Sequence, residues 1–212
     1  MTPRTSEGAG EIQARSEVWR LFVAVPLWGS FRELARPRHD ELRKLAYPFR
    51  WVRPEHWHLT LHFLGDTPIS KLELLKDSLT EEVSRIPSFR IEVGGLGGFP
   101  RLSKARVLWV GVRVGAERLV RLAEAAKAAC VRAGCPGDKK RFEPHLTLAR
   151  AKQEPLSVKV PPEIHAAAWG VEEVRSITLV RSELARTGPT YTPLVEVLFG
   201  PRAESRMPME KD

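Results

Sequence analysis

Two short segments repeat a histidine and a threonine one residue apart, HLTLHFLG from His58 and HLTLAR from His145. Their polar–apolar alternation is that of β-strands, in which residues i and i+2 share a face. Each segment therefore presents an imidazole beside a hydroxyl, His58 with Thr60 and His145 with Thr147. Histidine titrates near neutrality, so a facing pair can hold one charged and one neutral ring, a general acid and a general base together. The hydroxyls donate hydrogen bonds without adding charge, which suits the non-bridging oxygens of a phosphoryl group under attack by an oxygen nucleophile. Arg150 could add a bidentate contact to that anion. Its strand parity is opposite to that of His145, so this contact requires the strand to end or bend at Ala149. In-line attack on a phosphodiester fits this inventory and needs neither a nucleophilic serine or cysteine nor a carboxylate cluster.

A lone His-x-Thr is weak evidence, because most strand histidines are structural. Here the copies are in register: 87 positions separate His58 from His145, and 87 separate Leu21 from Leu108 in the strands that precede them. The order strand, helix, histidine strand recurs, which marks an internal duplication. By the same alternation His62 shares the face of His58, and it is expected at the rim. His58 and His62 would suit zinc on a helix, but the period of two and the lack of an HExxH glutamate argue against a metal site, and no cofactor is called for. His39, His56 and His165 stand in polar or loop-like contexts and are expected to be solvated. Trp51 and Trp57 flank the first motif, where they could stack a base, although core packing is the commoner use.

The elements that must position these residues follow from periodicity. RLFVAVP (Arg20–Pro26) reads as a strand, followed by a helix from about Ser30 to Ala46 that Pro37 either kinks or divides. Asp66-Thr67-Pro68 offers a cap and a first-turn proline to a helix carrying Leu72, Leu75, Leu79, Val83 and Ile86 at spacings of three and four. FRIEVGG (Phe89–Gly95) alternates as a strand. GGLGGFP reads as a glycine-rich turn and not a phosphate loop, since it lacks the Gly-Lys-Ser/Thr ending. VLWVGVRV (Val107–Val114), a helix from about Ala116 to Ala133 and Gly134 as its C′ residue complete the second copy. Trp169–Leu184 and Tyr191–Gly200 read as two further strands joined by a turn near Gly188-Pro189. The sum is an α+β protein of two related lobes, spanning residues 18–200 as one domain, with a disordered extension over 1–17 and a loose charged tail over 201–212. If a pseudo-twofold axis relates the lobes, His58 and His145 face each other across the cleft.

Composition narrows the setting. With 34 Lys+Arg against 26 Asp+Glu the formal net charge is +8, which favours anionic partners, nucleic acid being the commonest. No apolar run approaches a membrane span and no signal-peptide pattern opens the chain, so a soluble cytoplasmic protein is expected. Cys130 and Cys135 are too few for a disulfide framework and are expected to be reduced.

The segments WVRPEHWHLTLHFLG (Trp51–Gly65) and RFEPHLTLAR (Arg141–Arg150) resemble the 2H phosphoesterases, in particular the bacterial and archaeal RNA 2′,3′-cyclic phosphodiesterases, also called 2′-5′ RNA ligases. The resemblance runs from about Trp19 to Phe199 and includes SELARTGPTYTPL, similar to that family's closing hairpin. It implies a bilobal, pseudo-symmetric fold with two antiparallel sheets and flanking helices around a central cleft. It further implies metal-independent opening of a 2′,3′-cyclic phosphate at an RNA end to a 2′-phosphate, with reversible 2′,5′ joining in some members. Carried over by position, His58 is the general acid toward the leaving 3′ oxygen, His145 the base for water, Thr60 and Thr147 the phosphate-binding hydroxyls, and Arg150 the arginine after the second motif. A complete motif pair in one chain needs no second subunit, so a monomer is expected. Two readings from other classes stand beside this one, an RNA-binding module with inert histidines and a metal-dependent hydrolase.

Overall fold

The computed structural model of this chain describes residues 17–185 and 188–200. The expected extension, apart from Glu17, and the expected tail lie outside the described residues. Strand β1 (Val18–Pro26) leads into helix α1 (Gly29–Lys44), a short strand β2 (Phe49–Trp51) and the first motif strand β3 (His58–Pro68). Helix α2 (Leu72–Val83) and strand β4 (Phe89–Phe99) follow. Next come β5 (Val107–Val114), α3 (Ala116–Arg132), the second motif strand β6 (His145–Ala151), a single-turn helix α4 (Pro162–His165) and strands β7 (Ala168–Val174), β8 (Ser176–Ala185) and β9 (Gly188–Leu198). All strand pairs are antiparallel, in a four-stranded sheet ordered β3-β1-β8-β9 and a five-stranded sheet ordered β2-β6-β5-β4-β7.

The duplication is visible in both sheets. The trio β3-β1-β8 of one matches β6-β5-β4 of the other, and α1 and α3 begin 87 residues apart, as do β4 and β8. The last strand of each repeat is exchanged: β4 completes the sheet of the second motif and β8 that of the first. Each lobe is therefore discontinuous in sequence, and neither half of the chain contains a complete sheet.

Several elements differ from their sequence reading. Pro37 sits inside one continuous α1. Asp66-Thr67-Pro68 does not cap α2, because β3 runs on through Pro68, the Thr67 hydroxyl donates to the Gly65 carbonyl (3.1 Å), and a 3-10 turn at Ile69–Lys71 precedes the helix. The glycines of GGLGG belong to β4 and not to a turn, and Trp169–Leu184 is two strands, β7 and β8, in different sheets. Gly134 follows α3 with a left-handed φ of 72°, as its C′ role requires.

The core lies behind the motif strands. Leu59 and Leu146, each between its histidine and threonine, are fully buried. They set the register, because a slip by one residue would expose a leucine at a cost of about 2 kcal/mol and turn the histidine inward. On α3 the spacing of three and four buries Leu119, Leu122, Ala123, Ala126 and Cys130, and this helix packs on α2 and β3. Both cysteines are free and buried, and burial pushes the Cys130 thiol up to about 12.

Candidate active site

Both motif strands carry a β-bulge at the same point of the repeat. On β3, Ala24 faces Thr60 but Val23 faces His62, which leaves Leu61 without a partner; on β6, Trp109 faces Thr147 but Leu108 faces Ala149, which leaves Leu148 over. An extra residue reverses parity beyond it. His58 and Thr60 stay half-buried on the cleft face, as do His145 and Thr147, whereas His62 and Ala149 turn into the core and Phe63 and Arg150 come round to the cleft. The bend required at Ala149 for Arg150 to serve the site is this bulge. The rim placement expected for His62 is overturned by the same feature. His62 is 4% exposed, its Nε2 donates to the Pro136 carbonyl at 2.9 Å, and burial holds its pKa below the ordinary value.

The two catalytic candidates are anchored alike. His58 Nδ1 lies 2.7 Å from the His56 carbonyl and His145 Nδ1 2.6 Å from the Glu143 carbonyl, the carbonyl two residues upstream in each case. A carbonyl only accepts, so both Nδ1 atoms carry the proton and Nε2 is the nitrogen that titrates. Each ring is also boxed by aromatics. Phe22 lies 5.0 Å from His58 with Tyr191 perpendicular at 5.2 Å; Trp109 lies 6.2 Å from His145 with Phe99 perpendicular at 4.9 Å. Gly97 makes the second box possible, since a Cβ there would run into the Trp109 indole packed over it from the neighbouring strand.

These surroundings disfavour positive charge. Burial lowers the His58 pKa to about 4 and that of His145 below its ordinary value, and Arg150 depresses both further. His145 also depresses His58, so the two imidazoles and the guanidinium act on one another across a single cleft. Burial raises the Tyr191 hydroxyl, against an opposing pull from Arg150. Two recesses share His56 and Tyr191 as walls, and His58 lines the first of them. One is apolar and lined by Phe22, Trp28, Val180, Tyr191 and Pro193; the other is cationic and lined by Arg50, Arg53, His56, Arg150 and Tyr191.

Sequence reasoning misplaced two further residues, His39 and His56, and missed a third, Tyr191. His39 is not solvated but 2% exposed, edge-on to Trp51 and Trp57 at 5.2 and 5.3 Å, with its pKa lowered by burial. His56 is half-buried and lines both recesses, and it supplies the carbonyl that fixes His58. Tyr191 is marked in the sequence only by its place in the closing hairpin, and nothing in its local pattern announces that β9 brings it onto His58. Trp57 packs in the core as expected, at 1% exposure, and His165 is exposed. Among the described residues no three His, Cys, Asp or Glu side chains converge as a metal-binding group, and no helix is long and apolar enough to cross a membrane.

An α+β fold of two antiparallel sheets with flanking helices, carrying one His-x-Thr strand in each, is the architecture of a two-histidine phosphoesterase. The family model described as LigT like Phosphoesterase matches residues 26–109 and again 110–191, one match per repeat, and the chain belongs to this family. The RNA 2′,3′-cyclic phosphodiesterase of Aquifex aeolicus is 35% identical over 87% of this chain and 99% of its own length. That of Aeropyrum pernix is 38% identical over 77% of this chain and 93% of its own length. The crystal structure of Escherichia coli LigT complexed with 3′-AMP superposes with a TM-score of 0.70 at 30% identity, covering 86% of this chain and 99% of that one.

Proposed function

We propose that this protein is an RNA 2′,3′-cyclic phosphodiesterase that hydrolyses the cyclic phosphate to a 2′-phosphate by two-histidine acid/base catalysis. The observation that carries the mechanism is the matched anchoring of both imidazoles, each with Nδ1 committed to a backbone carbonyl and only Nε2 left to move a proton. The phosphodiesterase relatives that cover most of the chain supply the substrate class.

In this reading His145 Nε2 takes a proton from water as its oxygen attacks phosphorus, the bond from phosphorus to the 3′ oxygen breaks, and that oxygen receives the proton from protonated His58 Nε2. Thr60 and Thr147 donate to the non-bridging oxygens, and Arg150 offsets the charge that develops there. The assignment of His58 to the leaving side is supported by the two recesses. The apolar one is lined by His58 itself, which is where an in-line displacement must seat the departing ribose, and the cationic one joins it only through the shared walls of His56 and Tyr191, while the water approaches from the side of His145. Joining of RNA ends through a 2′,5′ linkage is the same chemistry with a ribose hydroxyl in place of water. A monomer suffices, since one chain holds both motifs.

The test is hydrolysis of a short RNA ending in a 2′,3′-cyclic phosphate, in EDTA, by the wild type, His58→Ala and His145→Ala, with the position of the product phosphate identified. A 2′-phosphate made by the wild type alone is the expected result. Activity that vanishes in EDTA and returns with a divalent metal would support a metal-dependent hydrolase instead, and RNA binding without turnover would support a binding module.

A further inference from the structure

Arg50 and Arg150 stand directly opposite each other on β2 and β6, so both side chains leave the same face of the sheet. Like charges at such a cross-strand position are destabilising, and a carboxylate would ordinarily be placed nearby to relieve them. Among the described residues none pairs with Arg50, Arg53 or Arg150, although Arg36 is paired with Glu55 only a short way along the same surface. All three arginines are exposed and line one recess with Trp51, His56 and Tyr191. A local arrangement that works against stability with no compensation inside the protein points to a compensating ligand, and here that ligand is an anion. Short β2 is an edge strand paired only with β6, and that pairing sets Arg50 across from Arg150.

The recess is not where the scissile phosphate sits. That group must lie between the two imidazoles and the two threonines, whereas none of those four side chains lines this pocket, which is walled by His56 and Tyr191, the latter packed against His58. Tyr191 forms a wall common to the cationic recess and the apolar one. A nucleoside seated beside His58 with its base in the apolar recess directs its 5′ end away from the reacting edge of the ribose, and the next anion along an RNA strand is the phosphodiester at that 5′ position. We infer that the recess formed by Arg50, Arg53 and Arg150 binds the phosphodiester on the 5′ side of the terminal nucleotide, so that the substrate class is an oligonucleotide bearing a 2′,3′-cyclic phosphate in preference to a nucleoside 2′,3′-cyclic phosphate. This rests on the phosphodiesterase reading above. Arg150 is shared with the reacting centre, while Arg50 and Arg53 serve the second phosphate alone. A guanidinium bonded to a phosphate oxygen on an open surface contributes a charge-assisted hydrogen bond, on the order of a tenfold effect for each arginine.

The test compares three substrates: adenosine 2′,3′-cyclic phosphate, the dinucleotide ApA ending in a 2′,3′-cyclic phosphate, and the same dinucleotide with an uncharged methylphosphonate linkage. Steady-state kcat/KM is measured for the wild type and for Arg50→Gln, Arg53→Gln and the double variant. The wild type is expected to favour the natural dinucleotide over the mononucleotide by at least tenfold, with the methylphosphonate close to the mononucleotide. The double variant should lose that preference while its kcat/KM on adenosine 2′,3′-cyclic phosphate stays within about twofold of wild type. An equal loss on all three substrates would overturn the inference by placing these arginines at the reacting phosphate or in folding, and no loss on any would overturn it by leaving the recess idle. Failure of the wild type to turn over any of the three would instead overturn the phosphodiesterase reading, and the second-phosphate site with it.

Discussion

Anion binding should place a proton on His58. Burial in the cleft sets this imidazole at about 4, so at pH 7 only about one molecule in a thousand carries the charge a general acid needs. Protonating it there costs about 4 kcal/mol, three pH units at 1.36 kcal/mol each. A phosphate oxygen held about 4 Å from the ring returns close to that amount, since unit charges at that distance attract by about 4 kcal/mol at an effective dielectric of 20. The bound anion also offsets the field of Arg150, which is among the groups that depress His58. The imidazole in the complex should therefore titrate near neutrality, about three pH units above the free protein. The cleanest system is His145→Ala with adenosine 2′,3′-cyclic phosphate, whose single phosphodiester charge does not itself titrate in this range. NMR titration of the His58 Cε1 proton should give a midpoint near 4 without ligand and near 7 with it. Calorimetry at pH 7 in buffers of different ionisation enthalpy should show uptake of about half a proton per ligand bound. The dissociation constant should fall up to tenfold for each unit of acidification between those midpoints and level off below them. In the wild type the same coupling moves the basic limb of kcat to higher pH than that of kcat/KM, because the first reports the complex and the second the free enzyme. A free midpoint at or above 6, or one that does not move when ligand binds, would refute the argument.

Three further outcomes follow from the same packing. His58, His145, His62 and His39 all have pKa values lowered by burial, so the unfolded chain binds more protons than the native one as pH falls below 6.5. Stability should drop on acidification, by at most about 3 kcal/mol from His58 alone between pH 6.5 and 4, and urea melts of His58→Ala should show a shallower pH dependence than wild type. If the hydroxyls of Thr60 and Thr147 hold the anion as proposed, Thr60→Val and Thr147→Val should each cost on the order of 10-fold to 100-fold in kcat/KM with little change in melting temperature, whereas the serine variants should retain most activity. Gly137 has φ of 62° and lies against the Phe63 carbonyl and the His62 ring, so Gly137→Ala should lower stability by about 2 kcal/mol or more. It should also lower kcat, since the displaced segment leads to the Glu143 carbonyl that fixes His145, and an unchanged melting temperature would count against that packing.

Much of the site was legible because its signal is local. A histidine and a threonine two apart on a strand share a face whatever the rest of the chain does, and the 87-residue register survives even in the upstream carbonyls of His56 and Glu143. The bulges were not legible, because an inserted residue leaves composition and apolar content unchanged. Leu61 and Leu148 look like any alternating leucine until the partner strand is known. The parity conflict of Arg150 was their one trace in the sequence. His39 was misread for a related reason, since its buried surroundings come from Trp51 and Trp57, residues outside its own helix. The exchange of β4 and β8 between lobes was equally hidden, because pairing at such separations is decided by the assembled core and not by the strand's own residues.

That exchange yields a prediction of its own. Since β4 completes the sheet of β5 and β6, and β8 that of β1 and β3, a fragment spanning residues 17–103 leaves β4 without either of its partners, β5 and β7, and a fragment spanning 104–200 leaves β8 paired with β9 alone. Ile91, Val93, Ile177 and Leu179 are fully buried in the whole protein and would be bared in the fragments, a loss of about 2 kcal/mol for each side chain against a total stability of about 5 to 15 kcal/mol. Each fragment alone should lack cooperative unfolding, and coexpression should restore both cooperative unfolding and catalysis, because His58 and His145 then meet across the reassembled cleft. Two independently folded halves would mean that the repeats are separable lobes, and the strand exchange would then not be what holds the two histidines in one site. The symmetry it imposes is also incomplete where chemistry demands it. Phe63 and Arg150 occupy equivalent positions just past the two bulges, one an aromatic ring against Phe22 and the other a cation acting on both imidazoles. A hydrolysed phosphodiester has a nucleoside on one side and water on the other, and a duplicated frame can serve that unequal pair only if its two halves differ at positions such as these.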